Sequence, residues 1–274
     1  MSAKLKMPTS QVGKARVLSY NISMYLSVII PAYNEAERIP ATLIAIDAYL
    51  SKVNYPYEIL VVNDGSRDTT AEVVRNMTKV VKNVKLIDVK ENHGKGSVVQ
   101  VGMLAAKGDI RLFMDADNST SVDQFEKMIP FFKEGYGAVV GSRAVRGAKL
   151  EPPEPFYRQL IGKALNLVVQ AILLPGIWDT QCGFKAYTDE AAEKIFGVAK
   201  VSTWGFDVET LALAKKFNYK IKEIPVRWVN DTRSHVKLSG GLQFLRDIAK
   251  IRWWLWTGAY RTLIAEAFSD RNEK

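Results

Sequence analysis

Short, unbroken apolar runs alternate along the chain with longer segments whose apolar residues recur every three or four positions. Leu26 to Tyr33 (LSVIIPAY) reads as a buried strand closed by Pro31, and Glu35 to Leu50 carries Ile39, Leu43, Ile46 and Leu50 on one helical face. Tyr57 to Val62 predicts a second strand. Asp68 caps the helix after it, with Val73, Val74, Met77 and Val81 turned inward. Val84 to Val89 is a third strand, Asn92 to Gly96 opens another helix, and the run ending at Met114 is a fourth strand. Ser121 and Gln124 resemble a capping box for a helix burying Phe125, Met128, Ile129 and Phe132. Gly137 to Gly141 predicts a strand, Arg158 to Leu174 a strongly apolar helix, and Tyr219 to Val226 a last strand. A polar stretch from Trp178 to Lys185 starts a strand, and Trp204 to Glu209 opens a helix. Arg227 to Gly241 reads as a polar loop, followed by a helix from Leu242 onward. This alternation predicts an α/β fold, a Rossmann-like, mostly parallel sheet covered by helices on both faces.

In such a sheet the carboxyl ends of the strands share one rim, where ligands bind. Each predicted strand end carries a polar cluster: Ala32-Tyr33-Asn34-Glu35, then Asp64-Gly65-Ser66, then Asp115-Ala116-Asp117. In an extended segment side chains at i and i+2 point the same way, so Asp115 and Asp117 project together. Two hard oxygen donors with no neighbouring Cys or His set suit Mg²⁺ or Mn²⁺ rather than zinc. An acidic turn before a helix would use the same residue types, and three such clusters in succession favour a nucleotide cleft. Gly94-Lys95-Gly96-Ser97-Val98-Val99 comes near the dinucleotide fingerprint but lacks its third glycine and follows the third strand, which argues against a nicotinamide enzyme.

Composition adds a charge. The 274 residues are 47% apolar with a formal net charge of +9, so acidic partners are expected: nucleotides, nucleic acid or an anionic membrane surface. The charge allows a basic nucleic-acid- or membrane-binding protein as the non-enzymatic alternative, but no zinc-finger spacing or RNA-recognition signature appears. Cys182 stands alone, so an internal disulfide is excluded and a reducing, cytoplasmic setting fits. The uncharged run from Ala164 to Trp178 is 15 residues and contains Asn166, Gln170 and Pro175, short of the roughly 20 apolar residues a spanning helix needs. Residues 1–23 carry Lys4, Lys6, Lys14 and Arg16 with no apolar core and read as a flexible basic leader before a domain over 24–241. Residues 242–274 place Trp253, Trp254, Trp256 and Tyr260 beside Arg246, Lys250 and Arg252, the composition of a helix lying in a bilayer interface or packed on a core or second subunit. Peripheral membrane association is the expectation, and the oligomeric state stays open.

The ordered set Pro31-Ala32-Tyr33-Asn34-Glu35, Val62-Asn63-Asp64-Gly65-Ser66, Asn92-His93-Gly94-Lys95-Gly96, Asp115-Ala116-Asp117, Gly141-Ser142-Arg143 and Asp179-Thr180-Gln181-Cys182-Gly183-Phe184-Lys185 resembles family 2 inverting glycosyltransferases. It is most similar to the dolichyl-phosphate glucosyltransferases and dolichol-phosphate mannose synthases. The resemblance, from about Leu26 to Arg252, implies a GT-A fold, a nucleotide-sugar donor, a divalent cation and a polyprenyl or dolichyl phosphate acceptor. It implies that Pro31, Tyr33, Glu35 and Asp64 surround the base and ribose, with Lys95 near the base or diphosphate. Asp115 would lie by the ribose and metal, and Asp117 would be the main metal ligand, helped by Ser119, where relatives often carry Gln. Arg143 and Arg158 would hold the acceptor phosphate, Asp179 and Gln181 would face the transferred sugar, and the loop from His235 to Lys237 would close over the diphosphate. UDP-glucose is favoured over GDP-mannose as donor. If the acceptor were a sugar hydroxyl instead, Asp179 would be the base that takes its proton.

Overall fold

The computed structural model describes residues 24–152, 156–229 and 239–260. Its centre is a seven-stranded sheet in the order β3-β2-β1-β4-β7-β5-β8. The strands are β1 (Leu26–Ala32), β2 (Tyr57–Asp64), β3 (Val84–Val89), β4 (Ile110–Met114), β5 (Ala138–Ser142), β7 (Phe184–Thr188) and β8 (Ile221–Pro225). All neighbours run parallel except β7, which is antiparallel to both β4 and β5. The expected α/β architecture is therefore present, and the reversed strand has a consequence for the site. Because β7 runs backwards, the loop that precedes it reaches the rim where its neighbours' trailing loops lie, and Met114 pairs with Phe184 there.

Helices cover both faces, as the near-continuous burial of the central strands requires. One apolar cluster gathers β-strand residues with α1 (Ile39–Leu50) and α2 (Thr70–Met77), including Ile39, Leu43, Ile46, Leu50 and Val74. The other gathers α3 (Lys95–Ala105), α6 (Asp189–Phe196), α7 (Phe206–Lys216) and α8 (Ser239–Thr257). The predicted capping box is corrected: Ser121 precedes a 3₁₀ turn, Val122–Lys127, and its side chain caps nothing. Pro130 lies next to the start of α4 (Ile129–Lys133), lacks an N–H, and breaks the helix that the apolar spacing suggested.

Two three-residue strands, β6 (Lys149–Glu151) and β9 (Arg227–Val229), pair in parallel, the second within the segment read as a polar loop. Three residues are too few to display a period. The apolar helix α5 spans Phe156–Ile172, and the described helix α8 begins at Ser239 rather than Leu242. Phe244, Ile248, Ile251 and Tyr260 sink into the second cluster, so α8 is seated on the core, while Trp253 and Trp256 stay 58% and 75% exposed. The leader, residues 1–23, lies outside the described residues.

Candidate active site

At the β1 end two loops interlock. Asn34 takes a left-handed conformation, φ 55°, which Asn tolerates better than most residues. Its N–H donates to Ser66 Oγ at 3.0 Å, its Oδ1 accepts from Arg67 N at 2.9 Å, and Glu35 N donates to Thr70 Oγ1 at 2.8 Å. This fixes the rim segment carrying the exposed Tyr33 ring. Pro31 is buried in register with Val62. Glu35 holds Arg38 through both carboxylate oxygens, at 2.6 and 2.7 Å. Burial pushes its carboxyl pKa up, against the pull of Arg38.

Asp64, expected at the base, is almost fully buried and accepts from His93 N at 2.8 Å, Gly94 N at 3.0 Å and Asn92 Nδ2 at 3.0 Å. A carboxylate offers about four acceptor positions, so room for roughly one more donor remains. Asp64 thus shapes the loop that leads into Lys95. The cap expected at Asp68 is corrected: Thr69 is the N-cap of α2, and Asp68, one residue earlier, accepts from Thr70 N at 2.9 Å while its other oxygen takes Ala36 N at 3.2 Å.

The carboxylate pair lies beyond β4. Asp115 meets Lys95 Nζ at 2.6 Å. Burial opposes the Lys95 charge, but Asp115 and then Asp207 outweigh it and hold the ammonium pKa above its ordinary value. Asp117 accepts from Ser119 N at 2.9 Å. Burial and the neighbouring Asp115 push its carboxyl pKa above the usual aspartate range. The Ser119 hydroxyl, at a position expected to help bind metal, is buried without a hydrogen-bond partner. An unpartnered hydroxyl beside a carboxylate reluctant to be charged is a set of hard oxygens that a divalent cation would satisfy. Gly183 completes the wall: it accepts from Asp115 N at 3.1 Å, and a Cβ there would stand 2.0 Å from Asp115 Oδ2. Only glycine leaves that carboxylate its place.

On the β5 side, Asp179 is locked. Its Oδ2 accepts from Arg143 N and Nε, both at 2.8 Å, and its Oδ1 accepts from Arg143 Nη2 at 3.0 Å and Gln181 N at 3.2 Å. Burial alone would raise this carboxyl, but Arg143 holds its pKa below the usual range. Glu223 of β8 fixes the segment from behind, accepting Trp178 N and Asp179 N at 2.9 Å each. The Arg143 guanidinium also lies 5.4 Å from the centre of the Trp228 ring on β9. The Gln181 side chain is exposed at the same rim.

Behind the rim the sequence reading missed a buried ion pair. Lys185, 1% exposed, bonds to Asp207 of α7 and donates to Cys182 O at 2.7 Å. The two residues stand 22 apart in sequence, and no local pattern announces their pairing. Removing one partner of such a pair typically costs 3–5 kcal/mol. Lys185 is a strut for the Cys182-Gly183 turn that supports Asp115. Cys182 is buried and its thiol pKa is pushed up to about 12, chiefly by burial, which makes it packing rather than a nucleophile.

His235 and Lys237 lie outside the described residues, as does the Arg158 side chain. On α5, Leu160 and Leu167 are 58% and 59% exposed, whereas Leu174, just past the helix end, is fully buried. The helix ends at Ile172, and Pro175 bars the residue before it from helical geometry, so Leu174 turns into the core. The outer faces of α5 and α8 bound a groove of about 430 Å³ lined by Ile172, Ala249, Arg252, Trp253 and Trp256.

The chain is similar to known proteins over most of its length. Residues 27–196 match the family described as Glycosyl transferase family 2. The chain is 35% identical over 252 residues to a dolichyl-phosphate beta-glucosyltransferase of Dictyostelium discoideum, covering 87% of this chain and 77% of that protein. It is 33% identical over 250 residues to the Homo sapiens dolichyl-phosphate beta-glucosyltransferase, covering 86% and 77%. The fold is shared with glucosyl-3-phosphoglycerate synthase from Mycobacterium tuberculosis, crystallised with Mn²⁺, UDP-glucose and phosphoglyceric acid, at TM-score 0.61 and 17% identity over 84% and 80% of the two chains. The sheet order, the rim of acidic loops and these relatives together place the chain in glycosyl transferase family 2, as a glycosyltransferase of GT-A fold.

Proposed function

We propose that this enzyme moves glucose from UDP-glucose to dolichyl phosphate by a single displacement, turning an α-linked donor into a β-linked product. The observation that carries the reading is the Arg143–Asp179 lock. A hydroxyl acceptor needs a base to take its proton, and Asp179, tied to Arg143 by three hydrogen bonds with its pKa held low, is badly suited to that task. A phosphate acceptor needs no base, since its second pKa is ~6 and it arrives anionic. It needs a positively charged fork in a fixed orientation, and Asp179 orients Arg143. The names of the relatives point to the same acceptor.

At the donor end, the exposed Tyr33 ring takes the base, bordered by Pro31 and Glu35, and the remaining acceptor capacity of Asp64 takes a base N–H. Lys95 supplies fixed positive charge for the diphosphate, Gln181 faces the hexose, and Arg158 and Lys237 add a second grip on the acceptor and a closing contact over the diphosphate. Asp117, with Asp115 and the Ser119 hydroxyl, would hold Mg²⁺ or Mn²⁺, which when bound neutralises the departing nucleoside diphosphate.

Among the described residues no helix is long and apolar enough to cross a membrane. The exposed Leu160, Leu167, Trp253 and Trp256, with Lys250 and Arg252 beside them, support peripheral attachment to an anionic membrane surface, at its cytoplasmic face. Each cation near such a surface contributes about 1 kcal/mol, screened by salt.

Incubating the protein with UDP-glucose or GDP-mannose, dolichyl phosphate in anionic vesicles, and Mg²⁺ or Mn²⁺ tests both parts. The expected product is a β-glucosyl phospholipid formed from UDP-glucose. Transfer only to sugar hydroxyls, or from GDP-mannose alone, would overturn the assignment. Changing both Trp253 and Trp256 to Ser should lower co-sedimentation with the vesicles and leave the protein folded; unaltered sedimentation would remove these rings from the attachment surface.

A further inference from the structure

Trp204 stands outside the roles above, yet its surroundings are unusually constrained. Its indole is 46% exposed, and its ring centre lies 5.3 Å from Lys95 Nζ, the ammonium that meets Asp115 at 2.6 Å. The ring therefore borders the cleft beside Lys95 and Asp115. The segment carrying it is fastened at both ends by buried carboxylates. Glu209 of α7, with no exposed surface, accepts from Lys200 N and from Val201 N, the latter at 2.8 Å. Asp247 of α8, 2% exposed, accepts from Thr203 Oγ1 at 2.5 Å and from Gln243 Nε2 at 2.9 Å.

The same segment touches the donor loop without slack. Gly96 N donates to Ser202 O at 2.8 Å, and Cβ atoms on Gly94 or Gly96 would stand 2.6 Å from Ser202 O or 2.4 Å from Val201 O. On its far side, a Cβ on Gly205 would stand 2.4 Å from Asp247 Cβ. Two buried carboxylates and three glycines thus hold in place a half-exposed indole whose ring contributes little to the core. Rigid presentation of an exposed aromatic face at a cleft fits ligand contact better than packing.

Accepting the donor reading above, we infer that Trp204 is a specificity-determining residue that lays its indole face against the pyranose ring of the donor, with Thr203 and Asp247 as positioning residues. A pyranose presents an apolar face of C–H groups, which an indole can cover while the polar groups around it handle the hydroxyls. The inference separates binding of the sugar from binding of the nucleotide: Trp204 acts on the first, whereas Tyr33 and Asp64 act on the second.

The test compares UDP with UDP-glucose by calorimetry and steady-state kinetics in the full chain. Trp204→Ala should raise Kd and KM for UDP-glucose roughly tenfold, equivalent to about 1.4 kcal/mol, while the Kd for UDP stays within about twofold of wild type. Trp204→Phe, which keeps a smaller aromatic face, should fall between the two. Thr203→Val removes the hydroxyl that reaches Asp247 and should shift UDP-glucose affinity in the same direction, and Thr203→Ser should recover it. UDP-glucose affinity unchanged in Trp204→Ala, or UDP and UDP-glucose weakened alike, would overturn the inference and leave the donor reading standing. Wild-type protein that binds UDP but gains nothing from the glucosyl group overturns it as well. Wild-type protein that binds neither ligand overturns the donor reading and this inference together.

Discussion

Asp117→Asn should leave a folded protein whose glucosyl transfer falls by more than about a hundredfold, the scale on which losing one stabilising group at a leaving oxygen is felt. The substitution keeps the side chain's shape and its acceptor for Ser119 N but removes the negative charge a cation needs. It should also make the apo protein more stable. Burial and Asp115 raise the Asp117 pKa, so the native state holds this proton more tightly than the unfolded chain does. The sign follows from linkage: stability from this site is greatest at low pH and is lost as pH rises through the raised native pKa. The Asn variant should lack that loss, giving a higher Tm than wild type near pH 7 without metal and a smaller rise on adding Mn²⁺. Full activity in Asp117→Asn, or full wild-type activity in EDTA, would remove the cation from the mechanism.

Much of this was legible in the chain because it is local. β1, β2, β3 and β4 each appear as an apolar run because both sheet faces are covered, and the carboxyl ends of β1, β2 and β4 put Tyr33, Asp64 and Asp115 on one rim. The i, i+2 relation of Asp115 and Asp117 needed no tertiary knowledge. What stayed hidden depends on distant partners. Asp64 looked free for a base, but the backbone of His93 and Gly94, about 30 residues away, uses most of its capacity. Asp179, expected to face the transferred sugar, is bonded to Arg143, 36 residues earlier, a partner that no local pattern announces. Lys185–Asp207 and Thr203–Asp247 likewise join residues that no periodicity relates. The helix predicted to reach Leu174 stops at Ile172, ahead of Pro175, and Leu174 is buried in the core.

Replacing Arg143 with Lys keeps a positive charge and removes the planar fork, so it separates orientation from attraction. In wild type, Asp179 takes one edge of that fork, and Arg143 N–H and Nε share a single carboxylate oxygen. Lysine cannot bridge Asp179 and an acceptor phosphate with fixed geometry. Hydrogen bonds to charged groups contribute about 1.5–3 kcal/mol, so Arg143→Lys should cut transfer to dolichyl phosphate roughly 10- to 100-fold. Donor affinity and slow hydrolysis of UDP-glucose by water should change far less, because neither uses the acceptor. Asp179→Asn gives the sharper contrast. If Asp179 only positions Arg143, the Asn variant should resemble Arg143→Lys, lose much less than Asp117→Asn, and keep the wild-type pH profile above neutrality. If Asp179 were instead the base for a hydroxyl, Asp179→Asn would be inactive with every acceptor and Arg143→Lys would stay healthy. Measuring transfer, hydrolysis and pH dependence side by side for the two variants decides between a phosphate that arrives charged and a hydroxyl that must be made so.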